Sequence, residues 1–413
     1  MNAHILTVGD ELLIGQVINT NQAYIARRLN GIGVDVAFMA TVGDGLDRLI
    51  AALGAAWDAA DLTVVTGGLG PTHDDVTRTA LVRYFRTDLV TDEGVRARIA
   101  ELLARRNVPW TAAADNQSLV PRSARVIPNP VGTAPGLLFQ TGEKRMIVLP
   151  GVPDEMKEIM DRSVIPMLAP LAGPAAIRHR TLLTTGIAES FLAAQLGDLD
   201  RLLGDASLAF LPSSAGVRLR ITVHAQSSAE ADGRVREVET RIRARVARYI
   251  YGVDDEEMES VLGGMLASRG LTIAVAESCT GGLIAHRLTG VSGSSAYVER
   301  CLVTYSNASK TALLGVDADL IAAHGAVSRE VALAMARGVR TTAGTDIGLS
   351  TTGIAGPTGG SPDKPVGTVW IGIDDTSGAL AIKFLFSGTR LAVKERAAQA
   401  AMELVRRRLL KLE

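Results

Sequence analysis

The sequence predicts an α/β protein: two three-layer domains, each built on a parallel sheet, joined by a small α+β module. Three observations lead there. Short apolar runs alternate with helical patterns over the first ~165 residues and again over the last ~155. The apolar runs are continuous rather than alternating, as expected for strands covered on both faces. Residues 175–250 break this rhythm with a two-faced strand pair and a long helix laced with Arg and Glu. At 413 residues the chain has room for two or three domains.

Taken in order, AHILTV reads as a strand and NTNQAYIARRLNGIG as a helix that stops at Gly31 or Gly33. VDVAFMATV is the next strand, LDRLIAALGAAWDAA the next helix and DLTVVTGG a third strand, after which THDDVTRTALVRYF opens a helix. A proline-studded stretch follows, and MIVLPGVPDEMKEIM reads as a strand, a turn and a closing helix, which bounds the first domain at 1–170. In the middle module, 175–251, RHRTLLTTG is a strand, AESFLAAQLGDLDRLL a helix, LAFLPSSAGVRLRITVHA a hairpin and EADGRVREVETRIRARVARYIYG a helix. This β-α-β-β-α order is similar to nucleic-acid-binding modules of the KH type, but the GxxG loop that clamps a backbone is missing. The module is therefore read as a structural or dimerising spacer. GVDDEEMES is an acidic linker, and alternation resumes over 258–413 with strands at LTIAVAE, ERCLVTYS and DIGLSTTG, a strand pair at GTVWIGIDD and LAIKFLFSG, and a final helix from about Leu391.

Composition excludes several classes. Apolar residues make up 47%, charged residues 21%, and the net charge is −1, which gives no drive towards nucleic acid or an anionic membrane. No run approaches the ~20 apolar residues of a membrane span, and the start of the chain does not read as a signal peptide. A cytoplasmic protein and a homodimer are expected. Cys279 and Cys301 are the only cysteines, with no metal-type spacing. Seven of the 43 basic residues are lysine, so each lysine in a polar cluster invites a reason.

Three polar clusters each follow a predicted strand in the last domain, where open parallel sheets bind ligands. AESCTGG puts Ser278, Cys279 and Thr280 at a strand-to-helix turn with Gly281 and Gly282. Backbone N–H groups from Thr280 to Gly282 suit an oxyanion hole, although Ser or Thr there also caps a helix. YSNASK supplies Lys310. No histidine is well placed as a base, whereas a lysine becomes one if burial lowers its pKa from ~10.4 to ~7–8, about 4 kcal/mol of differential stabilisation. Arginine stays protonated. STTGIAGPTGG is a glycine-rich loop suited to a phosphate or ribose through Gly353 and Gly356, with Thr351 or Thr352 near the reacting group, and Arg390 is a second phosphate candidate. Spacing alone does not choose between Ser278 and Cys279.

The strand ends of the first domain are polar too. Glycines Gly67 and Gly68 with a helix N-terminus, Asn19 and Thr72 make a phosphate cradle. Glu11, Asp44, Asp74 and Asp75 are candidates to hold a divalent ion through oxygen ligands, against the plainer reading of Asp74 and Asp75 as helix caps.

AESCTGG, VTYSNASK, HGAVS and GIAGPTGG…KPVGTVW closely resemble the deamidase family of nicotinamide mononucleotide (NMN), the C-terminal domain of the competence/damage-inducible CinA proteins. The resemblance implies Ser278 as nucleophile, Lys310 as base, and Tyr305, Thr352 and Arg390 as substrate-orienting residues, with no cofactor. GDELLIGQVINTNQAYIARRL with TGGLGPTHDD resembles the molybdopterin-binding-like (MoCF) domain at the N-terminus of CinA proteins, which implies a metal-dependent ADP-ribose pyrophosphatase using Mg, Co or Mn. The alternatives are an N-terminal domain that only holds a pterin or nucleotide, and an interaction factor in DNA uptake or repair. A neutral chain without a basic stripe argues against the latter.

Overall fold

A computed structural model describes residues 1–70, 76–105, 107–173 and 176–412. The chain divides into two compact units, Met1–Arg178 with Val223–Arg234, and His179–Thr222 with Val235–Glu413.

The first unit is built on a six-stranded sheet in the order Asp35–Val42, Asn2–Val8, Leu62–Thr66, Lys144–Leu149, Gly136–Thr141, Arg125–Ile127. The first four strands are parallel and the last two antiparallel. Successive residues of each strand face opposite sides. Leu6, Val65, Phe139 and Val148 enter one apolar cluster, while Ile5, Val64, Leu138 and Ile147 enter another. Two separate clusters, each roofed by helices, make this the expected three-layer sandwich. Helices Glu93–Arg105 and Ala112–Gln117 stand where the sequence reading gave no element.

A four-stranded sheet runs Ser207–Ser213, Gly216–Ala225, Ala176–Thr184, Ile250–Val253. The hairpin pairs as its alternating pattern predicts. The helix read over AESFLAAQLGDLDRLL is two helices, Glu189–Leu196 and Leu199–Leu203, because Gly197 adopts φ +66° between them.

The second unit carries a five-stranded sheet, Val298–Val303, Ile273–Glu277, Ile347–Gly353, Thr368–Asp375, Gly378–Leu385. The first three strands are parallel and the strand pair is antiparallel. The two faces again separate, with Val275 and Leu349 in one cluster and Ala274, Ala276, Met335 and Val339 in the other. Among the described residues no helix is long and apolar enough to cross a membrane.

The register of this sheet positions the site. Glu277 pairs with Val303 on one side and with Thr351 on the other. Two of the parallel strands therefore end level, the third runs on from Thr351 to Gly353, and the three polar clusters leave the sheet at one edge. Gly348 lets the Arg329–Ala343 helix lie close on that sheet, since a Cβ there would stand 2.1 Å from the Ala336 carbonyl oxygen. Gly348→Ala is expected to cost ~1–3 kcal/mol by overpacking, read as a lower urea midpoint at unchanged slope. An unchanged midpoint would show that the helix is not held at that distance.

Candidate active site

The Ile273–Glu277 strand is buried throughout, and the chain then turns sharply at Ser278–Gly282 before the Leu283–Thr289 helix. Gly281 and Gly282 adopt φ +60° and +91°, which L side chains rarely accept. The Ser278 N–H donates to the Thr351 carbonyl at 3.0 Å, tying the turn to the neighbouring strand. Glu277, with no exposed surface, turns its carboxylate back under the helix start. It accepts N–H bonds from Gly282, Ile284 and Ala285 at 2.9, 3.2 and 2.8 Å. Those are N–H groups a helix N-terminus leaves unpaired, and an anion is favoured there.

This clamp changes the expected oxyanion hole. The Gly282 N–H is taken by Glu277, and the Gly281 N–H donates to the Ser278 carbonyl at 3.2 Å. The Thr280 hydroxyl is buried against that of Thr351 at 2.8 Å. What remains are the Cys279 and Thr280 N–H groups, which lie beside the Cys279 sulfur, a weak acceptor.

Lys310 projects from the Asn307–Leu314 helix and is 1% exposed. Its Nζ donates to Ser278 Oγ at 3.1 Å, to the Thr304 carbonyl at 2.8 Å and to the Tyr305 carbonyl at 3.4 Å. Among the described residues no carboxylate bonds it. Burial therefore pushes the Lys310 ammonium below the ordinary lysine range. Cys279 packs into the core cluster while also lining the cavity beside Ser278, and burial pushes its thiol up to about 12. Such a thiol is inert at neutral pH. Of the two adjacent candidates, Ser278 is the one that hydrogen-bonds the lysine.

A cavity of about 280 Å³ opens over this pair. It brings together Ser278, Lys310, Tyr305, Thr352, Gly353, Gly356 and Arg390 from the sequence-predicted set, with Cys279, the rival nucleophile, also in its lining, and leaves Thr280, Gly281 and Gly282 outside. Thr352 donates its hydroxyl to the Ala326 carbonyl at 2.7 Å. Arg390, at the start of the last helix, donates to the Gly356 carbonyl at 2.7 Å and to the Tyr305 hydroxyl at 2.9 Å. The guanidinium thus ties the glycine loop to the tyrosine. Asn307 and Val327 also line the cavity, and the sequence reading missed both. Asn307 was findable, because it lies three residues before Lys310 on one helix and so shares its face. Chemically the arrangement offers a hydroxyl beside a buried amine and a cation at the rim, which suits nucleophilic attack on an acyl carbon.

In the first unit a smaller cavity, about 130 Å³, is lined by Glu11, Asn19 and Gly67 together with Thr66, Asn21 and Gly151. Asn19 also caps the Thr20–Gly31 helix, accepting the Gln22 N–H, and donates to Thr7 Oγ1 at 3.0 Å. Asn21, which the sequence reading passed over, donates to the Gly151 carbonyl at 2.7 Å and leaves its own buried Oδ1 without a partner. Gly67 and Gly68 adopt φ +109° and +65°. Gly67 approaches the Val8 carbonyl, and Gly68 packs on Thr77 outside the cavity lining. Asp44 accepts the Asp10 N–H and Asp10 accepts the Asp44 N–H, so this pair braces the loop. Thr72, Asp74 and Asp75 lie outside the described residues. Among the described residues no group of three or more His, Cys, Asp or Glu side chains could hold a metal ion. Glu11 and Asp44 alone do not supply that site.

Glu277→Gln would set an amide NH2 against the three N–H donors. The expected cost is ~1–3 kcal/mol, with Cys279 becoming reactive to a thiol reagent in the folded protein. If melting temperature and Cys279 labelling both match the parent, the turn does not depend on this carboxylate.

Residues 255–409 match the family model described as "CinA C-terminal domain", residues 4–170 the one described as "Probable molybdopterin binding domain", and residues 179–252 the one described as "Damage-inducible protein CinA KH domain". A "CinA-like protein" of Salinibacter ruber is 50% identical over 99% of this chain and 100% of its own length. A "CinA-like protein" of Gemmatimonas aurantiaca is 43% identical over 98% of this chain and 96% of its own. A crystal structure of a competence/damage inducible protein from Agrobacterium tumefaciens is 37% identical, covering 36% of this chain and 94% of that one, with a TM-score of 0.35. With half its residues shared along the full length of such a relative, and all three domain models matched in order, the chain belongs to the CinA family.

Proposed function

We propose that the C-terminal site hydrolyses the carboxamide of NMN to nicotinate mononucleotide and ammonia. The observation that carries this reading is the 3.1 Å contact between Ser278 Oγ and a Lys310 that is 1% exposed and, among the described residues, bonded to no carboxylate. A desolvated lysine is neutral for part of the time at working pH, and then its lone pair takes the serine proton. Ser278 Oγ attacks the carboxamide carbon as Lys310 gains that proton. The Cys279 and Thr280 N–H groups are the donors left for the oxyanion. Lys310 then passes the proton to the amide nitrogen, the C–N bond breaks and ammonia leaves. Water attacks the resulting ester as Lys310 takes its proton, the C–Oγ bond breaks, and Lys310 returns that proton to Oγ, which regenerates Ser278 and the neutral amine. Arg390 and the loop at Gly353 and Gly356 line the rim where the substrate phosphate is expected.

Incubation of the full chain with NMN should yield ammonia and nicotinate mononucleotide by mass, with a chelator present. Absence of ammonia would refute the proposal. Ser278→Ala should abolish turnover while Cys279→Ala retains most of it. Lys310→Arg should be as damaging as Lys310→Met, at least ~10²-fold in kcat, because arginine cannot deprotonate. Recovery of activity in the arginine variant would reduce Lys310 to a charge. The pH profile follows from the sign of the shift. The base is the neutral amine, so kcat/KM should fall as pH drops through the Lys310 pKa. That limb should centre below 10.5, the ordinary lysine value.

For the first unit we propose hydrolysis of ADP-ribose to AMP and ribose 5-phosphate. The strand-end cavity lined by Asn19, Asn21 and Gly67 supports a nucleotide ligand there. A divalent ion (Mg, Co or Mn) is part of this proposal, with Glu11, Asp44, Asp74 and Asp75 as its expected ligands. AMP should appear from ADP-ribose only when one of these ions is added. No AMP with any of the three would leave this unit as a binding module.

A further inference from the structure

The cavity of the first unit is bordered by a segment that has no part in the pyrophosphatase reading. Residues 14–18 join the Asp10–Leu13 helix to Asn19, which caps the next helix. This short stretch is aliphatic and faces water. Ile14 is 74% and Ile18 84% exposed, and Leu13 and Val17 are each more than half exposed. Val152, also more than half exposed, sits between the lining residues Gly151 and Pro153. Leu12, Val17 and Ile18 belong to the cavity lining themselves. Scattered exposed aliphatics need no explanation, but several at the mouth of one cavity mark a surface that binds something.

Both ends of the segment are held and its middle is not. At one end Asp10 and Asp44 each accept the other's backbone N–H, and Leu13 lies against Gly43. At the other end Asn19 donates to Thr7 Oγ1 at 3.0 Å and to Thr41 Oγ1 at 3.3 Å. Between them the Ile14, Gly15, Gln16 and Val17 N–H groups donate to the carbonyls of Asp10, Leu12 and Glu11, which folds the segment on itself without tying it to the sheet. Among the described residues, Ile14, Val17 and Ile18 join neither apolar cluster of this unit, and nothing lies within 4 Å of the place a Gly15 Cβ would take. The cavity is also small. At about 130 Å³ it falls below the ~300–1,000 Å³ of ordinary ligand pockets. A nucleotide would place only part of itself inside, and the rest would lie at the mouth. The polar side of the lining suits the charged phosphates, and an aliphatic edge suits only the uncharged base.

We propose that residues 14–18 form a strap that closes over a bound nucleotide, with Val17 and Ile18 packed on the face of its base. The inference rests on the reading of this cavity as a nucleotide site. Closure buries aliphatic surface that now faces water, and that is its driving force. The force requires a base, because a sugar phosphate offers no flat apolar face to cover. Val17 and Ile18 therefore make the site prefer nucleotides over sugar phosphates. Asn19 anchors one end of the strap and lines the cavity as well, so ligand contact and strap position meet in one residue.

The test is hydrogen–deuterium exchange of the full chain, read by mass, with AMP and with ribose 5-phosphate, magnesium present throughout and binding of each followed by calorimetry. AMP should slow exchange over residues 14–18, and ribose 5-phosphate should not. The double variant Val17→Ser, Ile18→Ser should bind AMP at least ~10-fold more weakly, the loss expected when aliphatic contacts to a base are removed. Both side chains are exposed, so this variant should keep the parent's melting temperature. If AMP binds and exchange over 14–18 is unchanged, or the double variant binds AMP as the parent does, the strap is overturned and the nucleotide reading stands. Equal slowing by ribose 5-phosphate would overturn the role given to the base. If AMP does not bind at all, the nucleotide reading falls and the strap with it. Slow exchange without ligand that speeds up on dilution would show a second copy covering the segment, which also overturns the proposal.

Discussion

Everything in the candidate deamidase site depends on keeping the Lys310 amine out of water without giving it a carboxylate. An isolated buried charge is costly, and a protein lowers that cost by neutralising the group. The site does this with neutral acceptors alone: the Ser278 hydroxyl and the Thr304 and Tyr305 carbonyls. A carboxylate in their place would hold the lysine protonated and remove its use as a base. The arrangement requires two neighbouring strands to stop at one level, at Glu277 and Val303. Ser278 follows one of them, and Thr304 and Tyr305 follow the next. The Thr304 N–H to Glu277 carbonyl bond at 2.7 Å carries the sheet register into the loop that holds the lysine.

Glu277 solves a second problem created by that geometry. The chain must reverse within a few residues of the strand end and start a helix, leaving N–H groups inside the protein. One carboxylate accepts three of them. The glycines supply the backbone angles, and the clamp fixes which of two adjacent side chains looks outward. Ser278 hydrogen-bonds Lys310 at the cavity, and Cys279, at its edge, packs into the core, where desolvation keeps its thiol protonated. The more reactive element is thus withheld by packing, and the hydroxyl relies on the lysine.

Much of this was legible in the sequence because strand ends in a parallel sheet advertise themselves. A continuous apolar run followed by Ser, Thr, Gly and Lys marks both the strand and its functional edge. The scarcity of lysine singled out Lys310. The choice of Ser278 over Cys279 was not legible, because neighbours in a turn differ only in direction, and the turn is tied to a contact 73 residues away at Thr351. Glu277 was hidden for the same reason: at the end of a strand it reads as a solvated charge. In the first unit Asn19 was picked for the cavity and Asn21 was not, although Asn21 holds the unpartnered carbonyl. The antiparallel strands at the edge of each sheet had a weaker signal. No helical pattern separates Gly353 from Thr368, and a connection without a crossover helix favours antiparallel pairing.

The central claim is that Ser278 becomes acylated through Lys310, rather than water attacking the amide directly. Hydroxylamine partitioning during NMN turnover tests this most directly. An ester on Ser278 would be captured as the hydroxamate of nicotinate mononucleotide, rising with hydroxylamine concentration at the expense of the acid, while ammonia release does not fall. Ammonia release with no hydroxamate at any hydroxylamine concentration would contradict the acyl-enzyme and the role given to Ser278.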